Sequence, residues 1–117
     1  MNKLTTLLSV AAAGFMFALP ARADDDTKTI KGEVLDMACY LDHGASGPNH
    51  AACAEKCISS GLPVGIKDSD GKVYLIIGAH KPLNDELAPL AGKEASIKGK
   101  VVSRDGINLI ENAEVVK

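Results

Sequence analysis

The stretch CYLDHGASGPNHAACAEKC, residues 39–57, holds all three cysteines of the chain and two of its three histidines. Thiolate sulfur and imidazole nitrogen are the donors that bind zinc and copper, and thiols are also the groups that form disulfides. Cys53 and Cys57 are four residues apart in a segment that reads as helical. That spacing sets their Cβ atoms about 5–6 Å apart on one face, whereas a disulfide wants about 3.5–4.5 Å. A metal ion suits the pair better, because two thiolates each about 2.3 Å from zinc span such a gap. Cys39 is the third donor, carried over by the intervening loop. His50 lies on nearly the same helical face as Cys53 but about 10 Å along the axis from Cys57. One ion reaches all of these only if the first turn unwinds or the imidazole extends fully. His43, in a Gly-rich loop, escapes that limit. The leading ligand set is therefore Cys39, His50, Cys53 and Cys57, with His43 as substitute for His50, and the ion is copper or zinc.

Two other states compete for the same side chains. A disulfide from Cys39 to Cys53 or Cys57 would staple a helix to the rest of the domain and contribute about 2–4 kcal/mol. The third cysteine would then be a small buried hydrophobe. On that reading the domain recognises a small molecule, a glycan or an envelope protein. Alternatively, a strained Cys53–Cys57 bridge would be easily reduced and would serve thiol redox chemistry. Three cysteines cannot all pair within one chain, so every reading leaves at least one thiol to account for.

The elements that must position these groups follow a short N-terminal address. MNK is a positive start, LTTLLSVAAAGFMFAL is an apolar run, and ARA ending at Ala23 is a small-residue cleavage site. Residues 1–23 thus read as a secretory signal peptide, which predicts a periplasmic or secreted protein with no membrane span after cleavage. Residues 24–28 read as a solvated leader and 29–117 as one domain. The chain carries a formal charge of −2, and losing Lys3 and Arg22 with the signal makes it more acidic. An acidic surface whose mature aromatics are Tyr40 and Tyr74 lacks the cationic charge and stacking platforms of nucleic-acid binders. No Ser–His–Asp grouping or Gly-rich phosphate loop is present, so no enzyme is expected.

Within the domain, TIKGEVLDMACY from Thr29 reads as a first strand with a bend or bulge at Gly32. LDHGASGP (41–48) reads as a loop. Asn49 then caps a helix over HAACAEKCISS, which Gly61 closes. LPVGIKD (62–68) and GKVYLIIGA (71–79) are strands joined by a DSDG turn, and the apolar run 73–77 predicts a strand buried on both sides. A short helix starts near Asn84 and is stopped by Pro89. Ala95, Ile97, Gly99 and Val101 alternate with polar residues, the period of a half-buried strand. RDG turns the chain into a last strand, 107–116. The fold class is mainly β: a five-stranded OB-like Greek-key barrel with a helix inserted after strand one and a short helix before strand four. An open antiparallel sheet with a helix on one face is the alternative.

Gly32, Asp36 and Cys39 form a Gly-x-x-x-Asp-x-x-Cys opening, and Cys53, Cys57 and Gly61 a Cys-x-x-x-Cys-x-x-x-Gly helix. With Ala91, Gly92, Lys93 and Gly99 in a looser third segment, the chain resembles a family of small exported bacterial domains of unassigned function. The resemblance implies the barrel and the cysteine cluster and no activity. Asp36 and Asp42 flank Cys39 and read as caps, solvated groups or outer-shell acceptors for a ligating histidine. DSDG reads as a plain hairpin turn, since a calcium loop needs six or more oxygens. His80 reads as a surface-loop residue.

Overall fold

β1 (Thr27–Asp36) is the strand on which the sheet closes. The structure, a computed structural model, describes Gly14 and residues 26–117. The signal segment apart from Gly14, and residues 24–25 of the leader, lie outside the described residues. Thr27 and Lys28 already belong to β1, with exposed side chains. The first half of β1 pairs antiparallel with β4 (Glu94–Arg104), Thr27 to Glu33 against Lys100 to Glu94. Its second half pairs antiparallel with β2 (Val64–Asp68), Gly32 to Asp36 against Asp68 to Val64. Gly32 sits at the overlap, where a Cβ would lie 2.0 Å from the Lys67 carbonyl oxygen. A glycine is thus required for β2 to approach at the bend.

β3 (Val73–Ile76) follows β2 across the DSDG turn. Asp68 Oδ1 accepts from the Asp70 and Lys72 backbone N–H groups at 2.9 Å each. That carboxylate is spent on the turn, as a plain hairpin requires. β5 (Ile107–Val115) pairs antiparallel with β4 and, over Leu75–Leu109 and Ile76–Ile110, parallel with β3. The order β1-β2-β3-β5-β4 closes on itself. This is the five-stranded OB-like barrel, and closure excludes the open sheet. Asp105 and Gly106 both take left-handed backbone (φ 52 and 84), the two-residue turn that matches hairpin twist. A register shift between Lys98 and Lys100 is opposed by Asn112 at φ 51, marking a bulge in β5.

Val34, Ile66, Ile97 and Ile110 from four strands are fully buried and pack with Ile58 and Leu87 from the helices. β3 departs from the sequence reading. Tyr74 and Ile76 are buried, but Val73 and Leu75 are half-buried and Ile77 is exposed. A barrel strand has one inner face, so its apolar run alternates in burial even where the residues do not alternate in type.

Two helices, not one, connect β1 to β2. The first strand ends at Asp36, four residues earlier than expected, and α1 (Met37–His43) begins at once. Asp36 is the N-cap, its Oδ1 accepting from Ala38 N at 3.0 Å, and Gly44 at φ 66 closes the helix. The Met37 N–H donates to the Pro63 carbonyl, and Lys67 Nζ lies 5.4 Å from the centre of the Tyr40 ring. α1 is thereby held against β2. α2 (Ala51–Ser59) starts one residue later than expected, with His50 rather than Asn49 at the N-cap. Ala54 and Ile58 are its buried residues, while Ala52 and Cys53, expected on the apolar face, are exposed. Between β3 and β4 lie α3 (Asn84–Leu87) and a 3-10 turn (Ala88–Leu90) containing Pro89. Asn84 Nδ2 reaches the carbonyls of Ile58 and Leu62 at 2.8 Å each, tying α3 to the end of α2.

Candidate metal centre

Asp36, Cys39, His50, Cys53 and Cys57 come together where the end of β1 meets α1 and α2. Asp36 is 1% exposed, and its position as last strand residue and first cap points its carboxylate under α1. Cys39 is in the first turn of that helix, three residues on. It therefore lies on a helix and not, as the sequence suggested, at the end of a strand. The 44–50 loop that delivers α2 is fastened to the barrel by the Gly47 N–H donating to Glu33 Oε1. His50 ends this loop, and Cys53 and Cys57 follow one and two turns along α2.

The donors fall into two overlapping groups. Atoms of Cys39, His50 and Cys53 all lie within 4.8 Å of one another, and so do atoms of Asp36, Cys39 and Cys57. Cys39 belongs to both. His50 and Cys57 share no group, as the axial offset along the helix requires. His43 belongs to neither. Its imidazole is 69% exposed at the far end of α1, with Nε2 3.0 Å from Asp42 Oδ2. His80 is likewise exposed, in the loop after β3. The three cysteines are unbonded in the structure, so a disulfide is not shown.

Two buried atoms of the cluster lack partners. Asp36 Oδ2 and His50 Nε2 have no hydrogen-bond partner, and they lie 4.0 Å apart. The His50 side chain is 21% exposed. A buried carboxylate oxygen and ring nitrogen left without partners are costly unless something satisfies them. The other Asp36 oxygen already serves the helix cap. The cluster offers three sulfurs, one nitrogen and one carboxylate, a donor set that could hold a metal ion.

The thiols carry the imprint of the carboxylate. Cys39 is pushed up from an ordinary 9.0 to about 12, first by the direct interaction of its thiol with the nearby Asp36 carboxylate, then by burial, then by the negative charge of Asp36 and the two other cysteines. Cys57 is also raised, by burial first and then by the same carboxylate. Without metal, these two thiols therefore keep their protons at neutral pH. An ion that takes them as thiolates must release protons.

Sequence reasoning missed α1 and with it the entry of Asp36 into the donor set. The signals were present: Asp36 followed by helix-forming Met37 and Ala38, with Gly44 just past the last turn. Compared with known proteins, the chain matches no family model, no curated protein and no solved structure. Among the described residues no helix is long and apolar enough to cross a membrane.

Proposed function

We propose that this protein is an exported metal-binding module that holds one copper or zinc ion in the cell envelope. The observation that carries this reading is the pair of buried, unpartnered atoms, Asp36 Oδ2 and His50 Nε2, set among three free thiols. A cation held in this cluster gives a partner to one of these atoms and to the thiolates it creates. The signal-like segment 1–23 and the resemblance to small exported domains support the location. The ligands are drawn from Cys39, His50, Cys53 and Cys57, joined by Asp36.

The test is anaerobic titration of the reduced protein with zinc and with copper(I), with thiols counted on the same sample. One ion is expected to bind per chain, with proton release and loss of thiol reactivity. If both ions are ignored at micromolar concentration, the reading fails. The location is checked by N-terminal analysis of protein recovered from the periplasm, where the first residue expected is Asp24.

A further inference from the structure

The two donor groups share a residue but differ in chemistry. Cys39, His50 and Cys53 offer two sulfurs and a nitrogen, on the side where Cys53 is exposed. Asp36, Cys39 and Cys57 offer two sulfurs and a carboxylate oxygen, and the carboxylate is buried. Copper(I) is soft, is content with three ligands and gains little from a carboxylate. Zinc accepts carboxylate readily and completes a tetrahedron. We propose that the cluster is a two-seat site pivoting on Cys39, in which copper(I) sits on Cys39, His50 and Cys53 and zinc sits on Asp36, Cys39 and Cys57.

The inference rests on the metal-binding reading above and adds which ion uses which residues. In the zinc seat the ion neutralises Asp36 directly, and a solvent molecule completes the tetrahedron. Cys53 is then spectator. In the copper seat Cys57 is spectator. Cys39 serves one ion at a time in this arrangement, so the ions compete for it.

The experiment uses the reduced full-length protein and its Cys53→Ser and Cys57→Ser variants. Copper(I) is competed against bicinchoninate and zinc against a chromophoric chelator. Loss of a ligand is expected to weaken binding at least as much as loss of an outer-shell partner, about 10–100-fold. Cys53→Ser should do this to copper(I) and leave zinc within about threefold, and Cys57→Ser should do the reverse. One equivalent of copper(I) should expel one equivalent of zinc from loaded wild-type protein. X-ray absorption of the wild type, which needs no variant to fold, should show sulfur and nitrogen without carboxylate oxygen around copper, and oxygen around zinc. Equal dependence of both ions on both cysteines, an oxygen ligand on copper, or simultaneous binding of both ions overturns the two-seat site while leaving metal binding standing. Failure of the wild type to bind either ion overturns both.

Discussion

Replacing Asp36 by Asn separates the charge of this carboxylate from its duty as a cap. Asn accepts a backbone N–H at an N-cap about as well as Asp, so the contact to Ala38 N survives the change. In the wild type Cys39 is held at about 12, and Asp36 supplies the largest of the causes. At pH 9 about one Cys39 in a thousand is then thiolate, the form that reacts. If the neutral amide lets the midpoint fall to about 10, the thiolate fraction at that pH rises about a hundredfold. The less basic thiolate is intrinsically slower, by about eightfold for a Brønsted slope near 0.4–0.5. The net expectation is alkylation of Cys39 about tenfold faster in Asp36→Asn. The assay is iodoacetamide labelling of reduced, metal-free protein across the alkaline range, resolved by peptide mass spectrometry. Exposed Cys53 provides the internal reference. An unchanged Cys39 rate in the variant, or a wild-type profile for Cys39 centred near 9, refutes the assignment of the carboxylate as the controlling neighbour.

The same thiols set an alkaline limit on the metal-free fold. Cys39 and Cys57 are raised above their ordinary 9.0 in the folded state, so the folded chain holds those protons more tightly than the unfolded chain. Their stabilisation is complete below about pH 9 and is lost as pH rises toward about 12; denaturation midpoints should fall across that window, and a flat profile would count against it. Gly32→Ala drives a Cβ into the Lys67 carbonyl at 2.0 Å, a backbone contact that cannot yield without parting β1 from β2. A loss of about 3 kcal/mol or more is expected in urea unfolding, and a loss under about 1 kcal/mol would show that the bend is not tight. Of the two histidines that flank the 44–50 loop, His50→Ala should weaken copper(I) binding by about tenfold or more, whereas His43→Ala should leave both ions unaffected. A metal titration in which His43→Ala has the larger effect would contradict the placement of both imidazoles.

The barrel was legible where local chemistry and global fold agree. The alternation from Ala95 to Val101, the DSDG turn and the RDG turn each specify their strands without help from the rest of the chain. The segment after Asp36 was not, because Met37, Ala38, Cys39 and Tyr40 extend an apolar run that a strand accommodates as readily as a helix. What decides for the helix is the capping chemistry of Asp36 at one end and Gly44 at the other, together with the Met37–Pro63 hydrogen bond. That last contact joins residues far apart in sequence and cannot be read locally. The cysteine cluster was legible from spacing, and so was the limit on His50 reaching Cys57. The role of Asp36 was half-legible. Its capping position follows from its type, but its burial depends on α2 folding over it.

Asp36 therefore couples the barrel to the cluster. It is the last residue of the strand that closes the sheet, the cap of the helix that carries Cys39, and a member of one donor group. Two residues earlier in the same strand, the Val34 carbonyl accepts from Gly92 N, and the Val34 N–H donates to the Lys93 carbonyl. The strand end is thus locked into the segment that leads to β4. An ion bound at Asp36 cannot be held without that joint, and the joint gains whatever free energy the ion supplies. An ion that binds only the folded chain stabilises it by about 2.7 kcal/mol at a hundred times its dissociation constant. That gain acts on the global unfolding of the barrel and not only on α1 and α2, because the end of β1 cannot give up its pairing without drawing Asp36 off the ion. Zinc should accordingly slow hydrogen exchange of the Val34 and Leu35 amides as much as that of α1. Protection confined to the two helices, with the β1 amides unchanged, would place the ion away from Asp36 and sever the proposed link between seat and barrel.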